Sequence, residues 1–437
     1  MAPLFGLALV PLVGFVGLAL DYSRAAAART EMQAALDATA LALSKEAKLL
    51  TADELNARAK QYFEASYQNK HAKNITVTSS LTTNADQLST IKVAAAGEVE
   101  TTLWNVLGHA KMDIGTSSEA TWGMKRLELV LALDNTLSML SSNRMTELKK
   151  ATKSLLDTLY KAAKKADDVK IAIVPFTTAV NIGTGQATAT WLDWSHWDNH
   201  NGTCKKYKNW NDDGGPKDKA TCLNHQGTWT SADRATWNGC VWDREQDNDV
   251  KDTTPTAAAS TQFQPHQATS GCPTSIIPLS DILQNWKSAD LTASSPTSTF
   301  GKKVNAMTPT GYTNITIGLA WGWHALTASV PLEQASAPKP DLDKVIILMT
   351  DGDNTQNRFS PFKQPNPPVD VRTQKACENV KAAGIKIYTV RLMDGNADLL
   401  KNCATNASMY FDVEQASQLN AAFGAIAQNL ANLRISK

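Results

Sequence analysis

"LELVLALDNTLSMLSS", residues 127–142, decides the fold. An apolar run broken only by Glu128 stops at Asp134, and small oxygen-bearing side chains follow at alternate positions: Asp134, Thr136 and Ser138. A near-continuous apolar strand is the kind buried on both faces of a parallel sheet. "MTELKKATKSLLDTLYKAAKKADD" follows with Leu148, Leu155, Leu156 and Leu159 on a helical period, and "VKIAIVPF" (169–176) reads as a second buried strand. Further on come "KVIILMTDGD" (344–353), a helix over 371–384, a strand over 385–393 and a last helix from Gln415. Alternating strands and helices of these lengths predict an α/β domain with a parallel sheet flanked by helices.

The rest of the chain fits around that domain. It has 437 residues, 43% hydrophobic and 19% charged, enough for two or three domains with sizeable cores. Forty-three basic against 42 acidic side chains leave a formal charge of +1, with no basic stripe, so nucleic acid is not an expected partner. Ala2 to Leu20 carries no charge, and about 20 apolar residues suffice to cross a bilayer as a helix. A cleaved signal peptide is the alternative. The "AAAAR" stretch at 25–29 would permit cleavage, but the run is long for a signal and lacks a basic flank. That missing flank also suggests a start upstream of Met1, and Arg24 and Arg29 favour the opposite orientation by the positive-inside rule. Six cysteines with no C-x-x-C pair argue for disulfides in an oxidising compartment rather than zinc, and so for a chain mostly outside the cytoplasm.

After the span, Met32, Leu36, Ala40 and Leu43 form an amphipathic stripe that predicts a continuing helix. A helix near 51–70 and strands over 74–83, 89–102 and 111–124 predict a small α+β module. Residues 191–269 break the α/β alternation. Eight of the twelve tryptophans lie between Trp191 and Trp286, and Cys204, Cys222 and Cys240 fall inside this stretch. It reads as an ordered insertion without a large core of its own. His196 and His200 have metal-ligand spacing, but the surrounding Asn, Asp and Gly argue against a helix there. Nucleophile elbow, phosphate loop and H-E-x-x-H are all missing from the sequence, so catalysis is not expected.

Two further segments complete the polar pattern: Thr313 in "TPTGYTNITIGLAW" and Asp351 in "LMTDGDN" at the end of an apolar strand. D-x-T-x-S, a later threonine and "TDG" together resemble the metal-ion-dependent adhesion site of von Willebrand factor A (vWA) domains. The resemblance implies that Thr136, Ser138 and Thr313 bind Mg2+ (Mn2+ and Ca2+ being alternatives) directly. Asp134 and Asp351 would act mostly through water, and an open position would take a partner's carboxylate. Thr136 stands where the family has serine, an equivalent donor, and Leu137 where it has glycine. The amino terminus, "LALVPLVGFVGLALDYSRAAAARTEMQAALDATALAL", resembles the TadE/TadG-type opening of tight-adherence (Flp) pilus assembly proteins.

The implied architecture is a transmembrane helix (1–22), a TadE/TadG-like helix with a β-rich module (23–124), and a vWA domain in two parts (125–190 and 270–437) around the insertion (191–269). The fold also implies a Cys377–Cys403 disulfide, with three connectivities open for the other four cysteines. The implied function is a non-enzymatic pilus assembly or adhesion protein, single-pass in a bacterial inner membrane, with its bulk in the periplasm or at the cell surface. Its partners would be other components of the pilus or secretion apparatus, engaged through an acidic residue. A carbohydrate- or matrix-binding role for the tryptophans of the insertion is the alternative.

Overall fold

The computed structural model describes residues 2–47, 50–83, 89–122, 125–210, 214–267 and 271–433, with the side chains of 2–16, 106–107, 122 and 432–433 left outside that description. The chain forms two compact units, one up to Met124 and the other over Lys125–Leu433.

In the first unit, α1 (Ala2–Leu43) and α2 (Ala52–Ser66) precede an antiparallel sheet of β1 (Ala72–Thr83), β2 (Ser89–Glu100) and β3 (Lys111–Trp122), in order β1-β2-β3. Met32, Leu36, Ala40 and Leu43 are all buried, packed with Leu55 and Phe63 of α2 and Ile91 and Val93 of β2. Along β2 buried and more exposed residues alternate, as a half-covered sheet requires. Thr51 and Glu54 close a reciprocal capping box that starts α2. The Asp21 carboxylate, 3% exposed, accepts from the backbone N–H groups of Thr102, Leu103 and Trp104, fastening α1 to the turn after β2. Among the described residues no helix is long and apolar enough to cross a membrane. Most of the span predicted over residues 1–22 lies outside the described side chains.

The second unit is a mixed α/β fold. Its elements run β4 (Arg126–Asp134), α3 (Arg144–Ala162), β5 (Val169–Phe176), β6 (Val180–Asn181), α4 (Ser195–His200), β7 (Gly202–Lys205), α5 (Lys219–Asn224), β8 (Thr228–Ser231) and β9 (Cys240–Val241). They continue as β10 (Ile277–Asp281), α6 (Ile282–Asn285), α7 (Thr299–Ala306), α8 (Ile315–Ala325), β11 (Leu342–Thr350), α9 (Pro367–Ala382), β12 (Lys386–Leu392), α10 (Ala397–Cys403), β13 (Tyr410–Val413) and α11 (Leu419–Leu433). Sheet order is β13-β12-β11-β4-β5-β6-β9, with β10 also on β5. The strands β13, β12, β11, β4 and β5 are parallel to their neighbours in that run. Alternate β4 side chains serve two cores. Leu127, Leu129, Leu131 and Leu133 pack with α3 and α11, while Val130 and Ala132 pack towards α8. Helix α8, "ITIGLAWGWHA", is buried all round, which is why its sequence is apolar on every face.

The stretch 191–269 is tied into this sheet rather than standing apart. Strand β9 extends the sheet edge, and Trp191, Trp194, Trp197 and Trp237 join the core that contains Val130, Val174 and Trp321. "SHWDNH" is helical, against the sequence expectation. Asp193 accepts from the Ser195 N–H and hydroxyl ahead of the helix, and Trp197 is fully buried, so a local turn and tertiary burial override weak propensity. Three disulfides form: Cys204–Cys222, Cys240–Cys272 and the expected Cys377–Cys403.

Candidate functional site

Chain order reverses between β4 and β11, which are adjacent and parallel, with Leu133 opposite Met349. Asp134 ends β4, and Asp351 directly follows Thr350, the last residue of β11, so both carboxylates lie at the switch-point crevice where open α/β sheets bind ligands. The loop before α8 supplies the third edge. The Gly311 carbonyl accepts from Leu137 N–H, and Asn135 O accepts from Thr310 N–H, which pins this loop to the turn after β4. Gly311 (φ 65°) and Gly271 (φ 95°) approach so closely that a Cβ on Gly311 would lie 2.8 Å from the Gly271 Cα.

The structure brings four of the five sequence-named residues into one hydrogen-bonded cluster and places the fifth at the same pocket. Asp134 Oδ1 accepts from Thr136 N–H at 2.8 Å and from Thr136 Oγ1 at 2.6 Å. Its Oδ2 accepts from Thr350 Oγ1 at 2.6 Å. Ser138 Oγ donates to Asp351 Oδ1 at 2.6 Å. Thr136 Oγ1 and Ser138 Oγ stand 2.9 Å apart. Thr313 is 4% exposed, and its hydrogen bonds among the described residues run through its backbone, to Thr355 and Gln356, leaving its hydroxyl uncommitted. All except Asp134 line one cavity of about 290 Å3, with Leu137, Tyr312, Asp353, Phe362 and Asp394 among its other walls.

Sequence reasoning missed Arg144, Asp394 and Thr350. The Arg144 guanidinium, 6% exposed, donates to Asp351 Oδ2 at 2.8 Å and to Asp394 Oδ2 at 2.5 Å. It fixes Asp351 and neutralises part of its charge. Thr350 stands next to Asp351 in "MTDGD" and was legible as a hydroxyl at a strand end. Arg144 and Asp394 are 250 residues apart and carried no shared signal.

The electrostatics favour a cation. Burial, with the Asp351 charge beside it, raises the Asp134 carboxyl well above the usual carboxylate range. Burial also raises Asp351, against the opposing pull of Ser138 and Arg144. The cavity wall carries Asp351, Asp353 and Asp394 against the single Arg144. With both aspartates ionised, the hydroxyl hydrogens of Thr136 and Ser138 point at carboxylates, so the two oxygens face each other through lone pairs. Two cis ligands of an octahedral Mg2+ at about 2.0–2.1 Å stand about 2.9 Å apart. The donor set and its spacing therefore fit a small hard cation. Among the described residues no group of three or more His, Cys, Asp or Glu is placed to hold a metal.

Several solved structures resemble the chain distantly. The pilus adhesin SpaC from Lactobacillus rhamnosus GG has 10% identity and a TM-score of 0.38, over 84% of this chain and 35% of that one. The vWF domain of the type V pili tip protein Mfa5 from Porphyromonas gingivalis has 13% identity and a TM-score of 0.36, over 72% of this chain and 97% of that one. Proximal thread matrix protein 1 from the mussel byssus, solved with a zinc-occupied MIDAS motif, has 14% identity and a TM-score of 0.35, over 71% and 48%. The chain thus spans about a third of SpaC and about half of the byssus protein. No curated protein sequence matches the chain. Its amino terminus does match a family model: over residues 1–44 the chain is similar to the Tad family, described as "Putative Flp pilus-assembly TadE/G-like".

Proposed function

We propose that this is a non-enzymatic, membrane-anchored component of a pilus assembly or adhesion system whose vWA-type domain captures a partner's carboxylate through a divalent cation, Mg2+ first. Thr136, Ser138 and Thr313 hold the ion directly, while Asp134 orients the Thr136 hydroxyl, Asp351 orients that of Ser138, and both reach the ion through water. The observation that carries the reading is the pair of facing hydroxyl oxygens 2.9 Å apart, both hydrogens committed to buried aspartates, in a cavity of net negative charge. Few direct carboxylate ligands leave the ion electron-poor, so it accepts an acidic side chain from outside. The amino-terminal family match supports the pilus context. In this reading residues 1–22 anchor the chain in the inner membrane, 23–124 form the TadE/TadG-like module, and 125–190 with 270–437 form the vWA domain around the insertion 191–269. The bulk then lies in the periplasm or at the cell surface, where the three disulfides are stable.

Titration calorimetry of the full chain with Mg2+, Mn2+ and Ca2+ tests this. Saturable Mg2+ binding is expected, lost in Ser138→Ala and Thr313→Ala without change in far-UV circular dichroism. Failure of the wild type to bind any of the three ions would overturn the reading. The glycan alternative gains no support from burial. Of the tryptophans between 191 and 242, four are buried and Trp210, Trp229 and Trp242 are half-buried, so none is fully exposed.

A further inference from the structure

Isolated exposed apolar side chains are ordinary, whereas several around one polar pocket mark an interaction surface. Four of the large apolar side chains exposed in this structure lie at the metal-suited pocket or in the same turn: Leu137 (49%), Leu140 (66%), Tyr312 (47%) and Phe362 (52%). Their placement follows from the backbone. Leu137 sits between the hydroxyl residues Thr136 and Ser138, and the turn after β4 opens with a 3-10 segment from Leu137 to Leu140, ahead of a kink at Ser141 and Ser142. In such a helix residues three apart eclipse, so Leu140 continues the ridge that Leu137 begins. Tyr312 precedes Thr313, and its ring meets that of Phe362 at 4.7 Å between centroids. Each loop that offers a hydroxyl thus also offers an exposed apolar neighbour. Another part of the wall is acidic, formed by Asp353 and Asp394.

We propose that this rim selects a partner segment presenting one aspartate or glutamate among apolar side chains, and rejects a run of acidic residues. This rests on the metal reading above, since without the cation the pocket repels any carboxylate. With the cation in place, one acidic side chain satisfies the open position. Its flanking residues then cover Leu137, Leu140, Tyr312 and Phe362. Further acidic residues beside it would meet the Asp353 charge and that of Asp394, whose Arg144 partner is shared with Asp351. Leu137, between Thr136 and Ser138 and 49% exposed, makes the rim apolar directly beside the hydroxyls.

The test uses the full chain in lipid nanodiscs and four fluorescein-labelled pentapeptides, read by polarisation in Mg2+ and in EDTA. The central aspartate is flanked by Leu and Phe in one and by Ser and Gly in a second; the third is all aspartate; the fourth has Asn in the apolar setting. Covering half-exposed leucine and phenylalanine surface predicts about tenfold tighter binding of the apolar-flanked aspartate than of the Ser/Gly one. Binding should vanish in EDTA and for the Asn peptide. The double variant Leu140→Ser with Phe362→Ser should lose that preference while binding Mg2+ as the wild type does; both side chains are exposed, and Leu137→Ser provides a second variant. Equal binding of the first two peptides, tightest binding of the all-aspartate peptide, or a preference that survives the variants would overturn the proposal. Mg2+ uptake with no peptide bound would overturn it while leaving the metal reading standing. No Mg2+ uptake would overturn both.

Discussion

Two buried carboxylates flank the loop that carries Thr313, and they differ instructively. Asp134, at the end of β4, is held by hydroxyls and one backbone N–H, with no cation against its own oxygens. Asp243, in the insertion, accepts both oxygens' worth of bonds from the Asn314 side-chain amide and one from Arg358 N–H, while Arg358 also pairs with Glu245. Asp247 and Asp249 likewise clasp Arg372 of α9. Asp243, Asp247 and Asp249 are thus met by an amide or a guanidinium, and Asp351 by Arg144, whereas Asp134 has only hydroxyls and one N–H. Through Asp243 the stretch 191–269 reaches Asn314, the residue next to Thr313.

The sharpest way to break this contrast is to untie the insertion. Replacing Cys240 and Cys272 by serine opens a 32-residue loop and should cost about 3–4 kcal/mol on chain-entropy grounds, visible as a lowered denaturation midpoint. Mg2+ affinity should fall with it, whereas removing Cys204–Cys222 should leave Mg2+ binding intact. An insertion that merely rides on the domain would give no such difference.

Next in size is the framework carboxylate. Asp351→Asn should weaken Mg2+ by about 100-fold and abolish Mg2+-dependent thermal stabilisation. Unchanged calorimetry would mean that Asp351 serves only to pair Arg144. Asp243→Ala should then show the effect of the Asn314 contact alone: about 1–3 kcal/mol of stability for the stranded Asn314 amide, and Mg2+ affinity lower by about tenfold. Full Mg2+ affinity in that variant would separate the insertion from the site.

The smallest effect is on pH. His324 of α8 is buried between Phe263 and Trp321, and burial, with Arg244 adding, holds its imidazole well below the ordinary value. The unfolded chain takes up this proton below about pH 6.5 and the folded chain does not, so the stability is complete above that value and lost as pH falls. Asp243, raised to about 6 by burial, works in the opposite sense, since the folded state binds its proton first as pH drops. The wild-type curve therefore mixes both signs. The melting temperature of His324→Phe minus that of wild type isolates the histidine and should grow by about 2 °C per pH unit from 6.5 to 5.5. A constant difference would show that His324 finds a proton acceptor in the folded state.

Much of the framework was legible because burial on both faces leaves long apolar runs: "LELVLALD", "VKIAIVPF" and "KVIILMT" stand in the sheet as β4, β5 and β11. The site was legible where its members sit at strand ends, since Asp134, Thr136, Ser138 and Asp351 each follow such a run. "SHWDNH" misled because single-residue propensities carry no record of Trp197 being pulled into a distant core. Asp243 was invisible for a related reason: its partner Asn314 is 71 residues away, and neither sits in a pattern.

Sequence by itself determined which segments must be buried and which polar residues stand at their ends, because period and composition are local properties. Only the tertiary structure decided that β11 lies beside β4, that Arg144 takes one oxygen of Asp351, and that two leucines, a tyrosine and a phenylalanine gather about the hydroxyls. Those outcomes depend on which strands pair and how loops close, and such long-range pairings are fixed by the sum of many packing contacts rather than by any one residue's preference.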